Sequence, residues 1–143
     1  MYFEYLDLPC VPESLLKDID HVIKNHENIF AKKHFTDYKI FDATSQLKGF
    51  TKPLFPFEHV TRVQILTYHI PIHKDVNRKQ AYNYVIDTGG SNVLTNFYND
   101  NLQLIESICI EPQRWHRLDT QVYHSVSNLT AMRIALTVHE HLD

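Results

Sequence analysis

The sequence predicts a mainly β domain, an antiparallel sandwich or barrel, with one amphipathic helix near its start. Three observations carry that expectation. From Val60 onward, short runs rich in Val, Ile, Thr and Tyr recur with turn residues between them and no helical period to join them. Such spacing belongs to closed or sandwiched antiparallel sheets. The clear 3.6-residue period lies ahead of these runs, between Leu15 and Ile23. Finally, 143 residues make one domain with room for a real core, while three glycines and 12% aromatics exclude a low-complexity chain. No internal repeat is present.

Taken in order, Tyr2 to Leu8 reads as an extended piece that adds an edge strand. The helix follows. Leu15, Leu16, Ile19, Val22 and Ile23 form its apolar stripe, Lys17, Asp18, Asp20 and Lys24 face water, and Pro12 and Glu13 suit its first turn. His21 and His26 fall near the polar face as solvated residues. From Ala31 to His59 the pattern loosens, and Pro53 and Pro56 argue against a regular element between them. Phe50, Phe55 and Phe57 there read as core packing, with a place in a substrate cleft as the other option. Residues 1–59 are thus a helical and irregular support, and 60–141 the barrel core.

The strands expected in that core are Val60 to Tyr68, Gln80 to Ile86, Val93 to Tyr98, Leu104 to Ile110, Trp115 to Leu118, Val122 to Val126 and Met132 to His139. Asp87 to Asn92 makes a turn. In the last strand Ile134, Leu136 and Val138 point one way, and Arg133, Ala135, Thr137 and His139 the other. An apolar side against the helix and a polar side against a cavity account for both.

Composition narrows the function. A net charge of -3 provides no basic field for nucleic acid. Cys10 and Cys109 match no zinc-finger spacing and read as buried thiols of a reduced, intracellular chain. The start carries acids where a signal peptide has a basic region, and no apolar run reaches the ~18 residues of a spanning helix. A cytoplasmic protein is expected.

The chemistry is carried by Tyr68 to Asp75, a strand-like run ending in His73-Lys74-Asp75. At a strand end the period of two brings the His73 imidazole and the Asp75 carboxylate to one face, where both can reach one divalent iron. The pair is a cheap pattern, since the chain has 10 His, and His141-Leu142-Asp143 repeats it. Further strands, His124 as a third donor and Arg133 nine residues later set the first pair apart. His69, His116 and His139 remain as fourth ligands or acid-base groups, or as hydrogen-bonded packing. His139-Glu140-His141 imitates a zinc pair but sits at a terminus.

These residues resemble the iron(II)- and 2-oxoglutarate-dependent oxygenases, in particular small hydroxylase-like members from phages and bacteria. The matching pieces are His73-Lys74-Asp75, Ala81 to Ile86, Thr95 to Tyr98, His124 to Asn128, and Arg133. The resemblance implies a double-stranded β-helix of eight strands, a jelly-roll or cupin-like barrel. It also implies Fe(II) held by His73, Asp75 and His124, and Arg133 paired with the distal carboxylate of 2-oxoglutarate. The implied reaction is oxidative decarboxylation to succinate coupled to hydroxylation of a C–H bond, in a small molecule or a protein side chain. Two departures stand out. Ala135 occupies a position where many members carry Ser or Thr, which leaves Asn83 as the second contact to the carboxylate. Glu111-Pro112-Gln113-Arg114 replaces a turn that often holds glycine. Other readings stay open: a cupin-like binding module without oxygenase activity, a purely structural domain, and, for Arg133 alone, a buried pair with an acid such as Asp119.

Overall fold

The computed structural model describes residues 2–25, 32–35, 38–67, 69–75 and 79–140. In chain order these form β1 (Phe3–Tyr5), α1 (Glu13–Asn25), β2 (Lys32–Phe35), β3 (Tyr38–Asp42), α2 (Ser45–Thr51), a 3-10 turn (Lys52–Leu54), β4 (His59–Leu66) and β5 (Ile70–His73). There follow β6 (Gln80–Asp87), β7 (Leu94–Tyr98), β8 (Leu104–Ile108), β9 (Trp115–Asp119), β10 (Tyr123–Ser127) and β11 (Arg133–Glu140). The strands pair antiparallel in two sheets, a larger one ordered β1-β9-β6-β11-β4-β3-β2 and a smaller one ordered β5-β10-β7-β8. From β4 to β11, four strands enter each sheet, with β9-β6-β11-β4 facing β5-β10-β7-β8. This is the double-stranded β-helix, and the seven strand runs read from the sequence all lie in it.

Strand alternation decides what each face of the larger sheet does. On β11, Leu136 and Val138 are fully buried against Ile19 of α1, Leu47, Phe55, Val63, Tyr84 and Trp115, while Ile134 is packed at the margin of that core. Ala135 faces the other way and meets Val85 and Ile110, with Phe3 and Ile108 beside them. Opposite sides of one strand therefore serve the outer helix and the barrel interior. The Pro12 carbonyl accepts from the amides of Leu15 and Leu16 at 3.0 and 3.2 Å, so helix α1 begins on it, and Ile19 of its stripe is 2% exposed. Trp115 ties the segment before α1 down by donating from Nε1 to the Pro9 carbonyl at 3.0 Å. Phe55 lies in the same core, with Phe50 and Phe57 packed against it, on the helix side of the sheet and away from the barrel interior.

Two expectations are corrected. The stretch from Ala31 to His59 holds two strands, a helix and a 3-10 turn. β3 owes its order to pairing with β4, Ile40 opposite Gln64, and α2 to a cap in which Thr44 Oγ1 accepts from the Leu47 amide at 3.3 Å. Pro53 sits inside the 3-10 turn, at its start, where no amide is required of it. Cys10 and Cys109 are both exposed and unbridged, one in the loop before α1 and the other just beyond β8, an edge strand. His21 is exposed as expected. His26, Tyr68 and the second His-x-Asp match at His141 to Asp143 lie outside the described residues.

Candidate metal centre

β5 ends on His73, which stands directly opposite His124 of β10, so neighbouring strands bring the two imidazoles together with ring centroids 4.3 Å apart. Asp75 lies two residues past the strand end. Its backbone is held there by an amide that donates to the Thr120 carbonyl at 3.0 Å and a carbonyl that accepts from Gln121 Nε2 at 3.2 Å. Asp75 Oδ1 then sits 3.3 Å from His73 Nε2 and 3.5 Å from His124 Nε2. All three donor atoms fall within 4.8 Å of one another, and among the described residues this is the one group of that kind.

The two other ring nitrogens settle what the centre can do. His73 Nδ1 lies 2.8 Å from the Pro71 carbonyl and His124 Nδ1 lies 2.7 Å from the Val122 carbonyl. A carbonyl only accepts, so each Nδ1 carries the proton, and a neutral ring then presents a bare lone pair at Nε2. Two such lone pairs and a carboxylate oxygen converge on one point. This is the outer-shell arrangement of ligating histidines, and the donor set fits a divalent metal with further positions left for other ligands. The partner strand is fixed from its far side. Asn96 Nδ2 donates to Ser125 and Ser127 Oγ at 3.1 and 3.0 Å, Tyr98 OH meets Ser125 Oγ at 2.9 Å, and Ser107 donates to Asn96 Oδ1 at 2.7 Å. Sequence reasoning assigned this network no role. Its signal is the spacing of two that puts Asn96 and Tyr98 on one face of β7 and Ser125 and Ser127 on one face of β10.

Arg133 opens β11 and is 7% exposed. Its Nη1 donates to the Thr88 carbonyl at 3.0 Å, and among the described residues no carboxylate pairs with it. Asp119, offered as a partner, instead accepts from the Gln121 amide at 2.9 Å. Burial lowers the guanidinium from its ordinary value to about 10, with Cys109 and Asp87 acting in the opposite sense, so the charge persists at neutral pH. Asp87 offsets only part of the cost of burying this cation, and an anion from outside the chain would relieve the rest. Arg133 is held in place by the turn before it: Gly89, at φ +81°, accepts from the amides of Thr130 and Ala131 at 2.9 Å.

Asn83 on β6 stands opposite His116 on β9 and Thr137 on β11, on the interior side of the sheet. His69, His116 and His139 all lie outside the ligand group. His116, 1% exposed, is pushed down to about 3 by burial and then by the nearby Arg133 charge, and so is neutral.

No family model and no curated protein sequence matches the chain. Solved structures do. A prolyl hydroxylase from Trichoplax adhaerens, in complex with a hypoxia inducible factor oxygen degradation domain peptide fragment, superposes with a TM-score of 0.70 at 13% identity, over 96% of this chain and 82% of that one. A 2OG-Fe(II) oxygenase family oxidoreductase from Burkholderia pseudomallei gives 0.58 at 10% identity, over 89% and 78%. The oxalate decarboxylase of Bacillus subtilis, which has Mn(II) centres, gives 0.53 at 10% identity over 82% of this chain but 29% of that one. At these identities the likeness establishes the double-stranded β-helix.

Proposed function

We propose that this chain is an Fe(II)- and 2-oxoglutarate-dependent oxygenase that hydroxylates a C–H bond. The observation that supports the reading is the pairing of two features across the barrel. Two Nε2 lone pairs and the Asp75 carboxylate converge from β5, the loop after it and β10, and a buried guanidinium that makes no ion pair among the described residues faces the same interior from β11. When bound, the metal and 2-oxoglutarate supply oxygen activation coupled to decarboxylation, releasing succinate and carbon dioxide. The chain's own part is to hold and to exclude. His73, Asp75 and His124 would hold the ion, and each Nδ1 keeps its proton and donates it in a hydrogen bond to its carbonyl, so that neither imidazole rotates away. Arg133 pairs with the distal carboxylate, Asn83 adds a polar contact, and the apolar lining of Val85, Ala135 and Ile110 keeps water from the interior. Asp75 fills the carboxylate place among the ligands, which favours a hydroxylated product.

The prolyl hydroxylase likeness makes a prolyl peptide the first substrate class to assay. A cupin-like metal module without oxygenase activity is the second reading, favoured by the decarboxylase likeness and by Ala135. One experiment separates them. Anaerobic protein with Fe(II) develops a weak visible metal-to-ligand absorption on addition of 2-oxoglutarate, and Arg133→Leu loses it at the same 2-oxoglutarate concentration while retaining Fe(II). Absence of the band in the parent protein favours the cupin-like module.

A further inference from the structure

An aromatic pair that the metal centre does not use stands at the same end of the barrel. Phe97 on β7 is fully buried and lies directly opposite His124 in the β7–β10 ladder, so its ring enters the interior beside that histidine. Tyr2, which leads into β1 at the edge of the larger sheet, stacks on it with ring centroids 5.6 Å apart and planes 22° from parallel. One stack therefore spans the two sheets. Phe97 has no exposed surface and Tyr2 is only half-buried, so Tyr2 is the ring of the pair that a ligand can reach.

The backbone fixes Tyr2 against the turn that also fixes Asp75. The Asp119 amide donates to the Tyr2 carbonyl at 2.9 Å, and the carbonyl of the next residue, Thr120, accepts from the Asp75 amide at 3.0 Å. Asp119 pairs with Gln80 at the start of β6, whereas Ile134, next to Arg133, pairs with Asp87 at its end. Tyr2 thus adjoins the metal end of the barrel, and the guanidinium starts from the other.

We propose that the Tyr2 ring is a specificity-determining wall of the substrate site, packing an apolar, C–H-rich side chain or ring of the substrate beside the metal. This rests on the oxygenase reading above. An aromatic face gains most from apolar surface and provides no counter-charge for an acidic group. Stacking on Phe97 and the bond from Asp119 hold the ring in place before any substrate arrives, which lowers the cost of ordering it on binding.

The test uses the full chain labelled with 3-fluorotyrosine and loaded with Zn(II) and 2-oxoglutarate, the Tyr2 and Tyr5 fluorine resonances being assigned by their loss in Tyr2→Phe and Tyr5→Phe. N-acetylprolinamide or N-acetylleucinamide should shift the Tyr2 resonance, and N-acetylaspartamide should leave it in place. Exchanging Zn(II) for Mn(II) should broaden Tyr2 more than Tyr5, whose ring lies under Arg114 further along β1. Tyr2→Ala should weaken the apolar amide about fivefold, the worth of one aromatic contact, and Tyr2→Phe should not. Both variants should bind Mn(II) and 2-oxoglutarate like the parent. The resonances of the unsubstituted chain decide the matter if Tyr2→Ala fails to fold. No response to either apolar amide, an equal response to all three, or a Tyr2 signal no broader than that of Tyr5 overturns this wall and leaves the stack as packing. Failure of the parent to bind Mn(II) or 2-oxoglutarate removes the oxygenase reading, and this inference with it.

Discussion

His73 and His124 turn their Nε2 atoms toward Asp75 because of the bonds made by their other nitrogens. The Pro71 and Val122 carbonyls lie two residues upstream of their histidines, so each ring is held by its own stretch of chain rather than by a distant partner. Arg133 is the reverse case, with an incomplete set of partners. These roles separate cleanly on mutation. His73→Ala should weaken Fe(II) or Mn(II) binding by more than the roughly 100-fold that losing an outer-shell partner costs. Equilibrium dialysis against either metal checks this, and unchanged affinity would remove His73 from the centre. Arg133→Leu should leave metal binding unaltered. The legibility of these residues follows the same division. The convergence of His73, Asp75 and His124 and the burial of Arg133 could be read from the sequence because donor types at strand spacing are followed by a cation on a polar strand face. His116, which the sequence left open between a fourth ligand, an acid-base group and packing, lies outside the ligand group, buried against Phe3. The cysteines failed for a physical reason: thiols are buried on average, but a loop and a strand edge outweigh the average at Cys10 and Cys109.

Elements β4 to β11 were legible because each carries its alternation locally. β3 and α2 were not. β3 is ordered by its ladder with β4, and a helix of seven residues makes only about two turns, too few to display a period. Turns tell the same story at positions where backbone conformation outweighs composition. Gln113 occupies φ +56° in the turn before β9, where glycine was expected by family resemblance, and its amide donates to the Val85 carbonyl at 2.7 Å. A left-handed conformation costs a non-glycine residue ~1 kcal/mol, part of which glycine returns as unfolded-chain entropy. Gln113→Gly should therefore raise stability by about 0.5 kcal/mol, seen as a higher urea midpoint at unchanged slope. Gly89 should respond in the opposite direction. A Cβ there would lie 2.9 Å from the Ala131 carbonyl oxygen and 3.0 Å from Arg133 Cβ, at φ +81°. Gly89→Ala should cost roughly 1–3 kcal/mol and, by displacing the start of β11, also weaken 2-oxoglutarate binding. A variant as stable as the parent would show that the turn shifts without strain.

At the scale of the molecule the two sheets divide the work. His73, Asp75 and His124 belong to β5, the loop after it and β10, all on the smaller sheet's side, whereas Arg133, Asn83 and His116 belong to strands of the larger sheet. On the proposed oxygenase reading, metal binding would tie β5, a four-residue edge strand, to its neighbour, and the co-substrate would meet residues of both sheets. The sequence supplies the apolar faces that pack the sheets, but the alternation of strands between them arises from long-range pairing that no local window contains. A thermal consequence follows. Metal at a hundred times its Kd should stabilise the fold by about 2.7 kcal/mol. At about 3 °C per kcal/mol for a chain of this size, Tm should rise by roughly 8 °C, and a chelator should reverse the rise. 2-Oxoglutarate should add a second increment in the metal-loaded protein and almost none in the chelated one, because Arg133 alone grips only one end of it. His73→Ala should abolish both increments. A full 2-oxoglutarate increment in chelated protein would mean that the anion binds without the metal, and that the two sheets do not share one site.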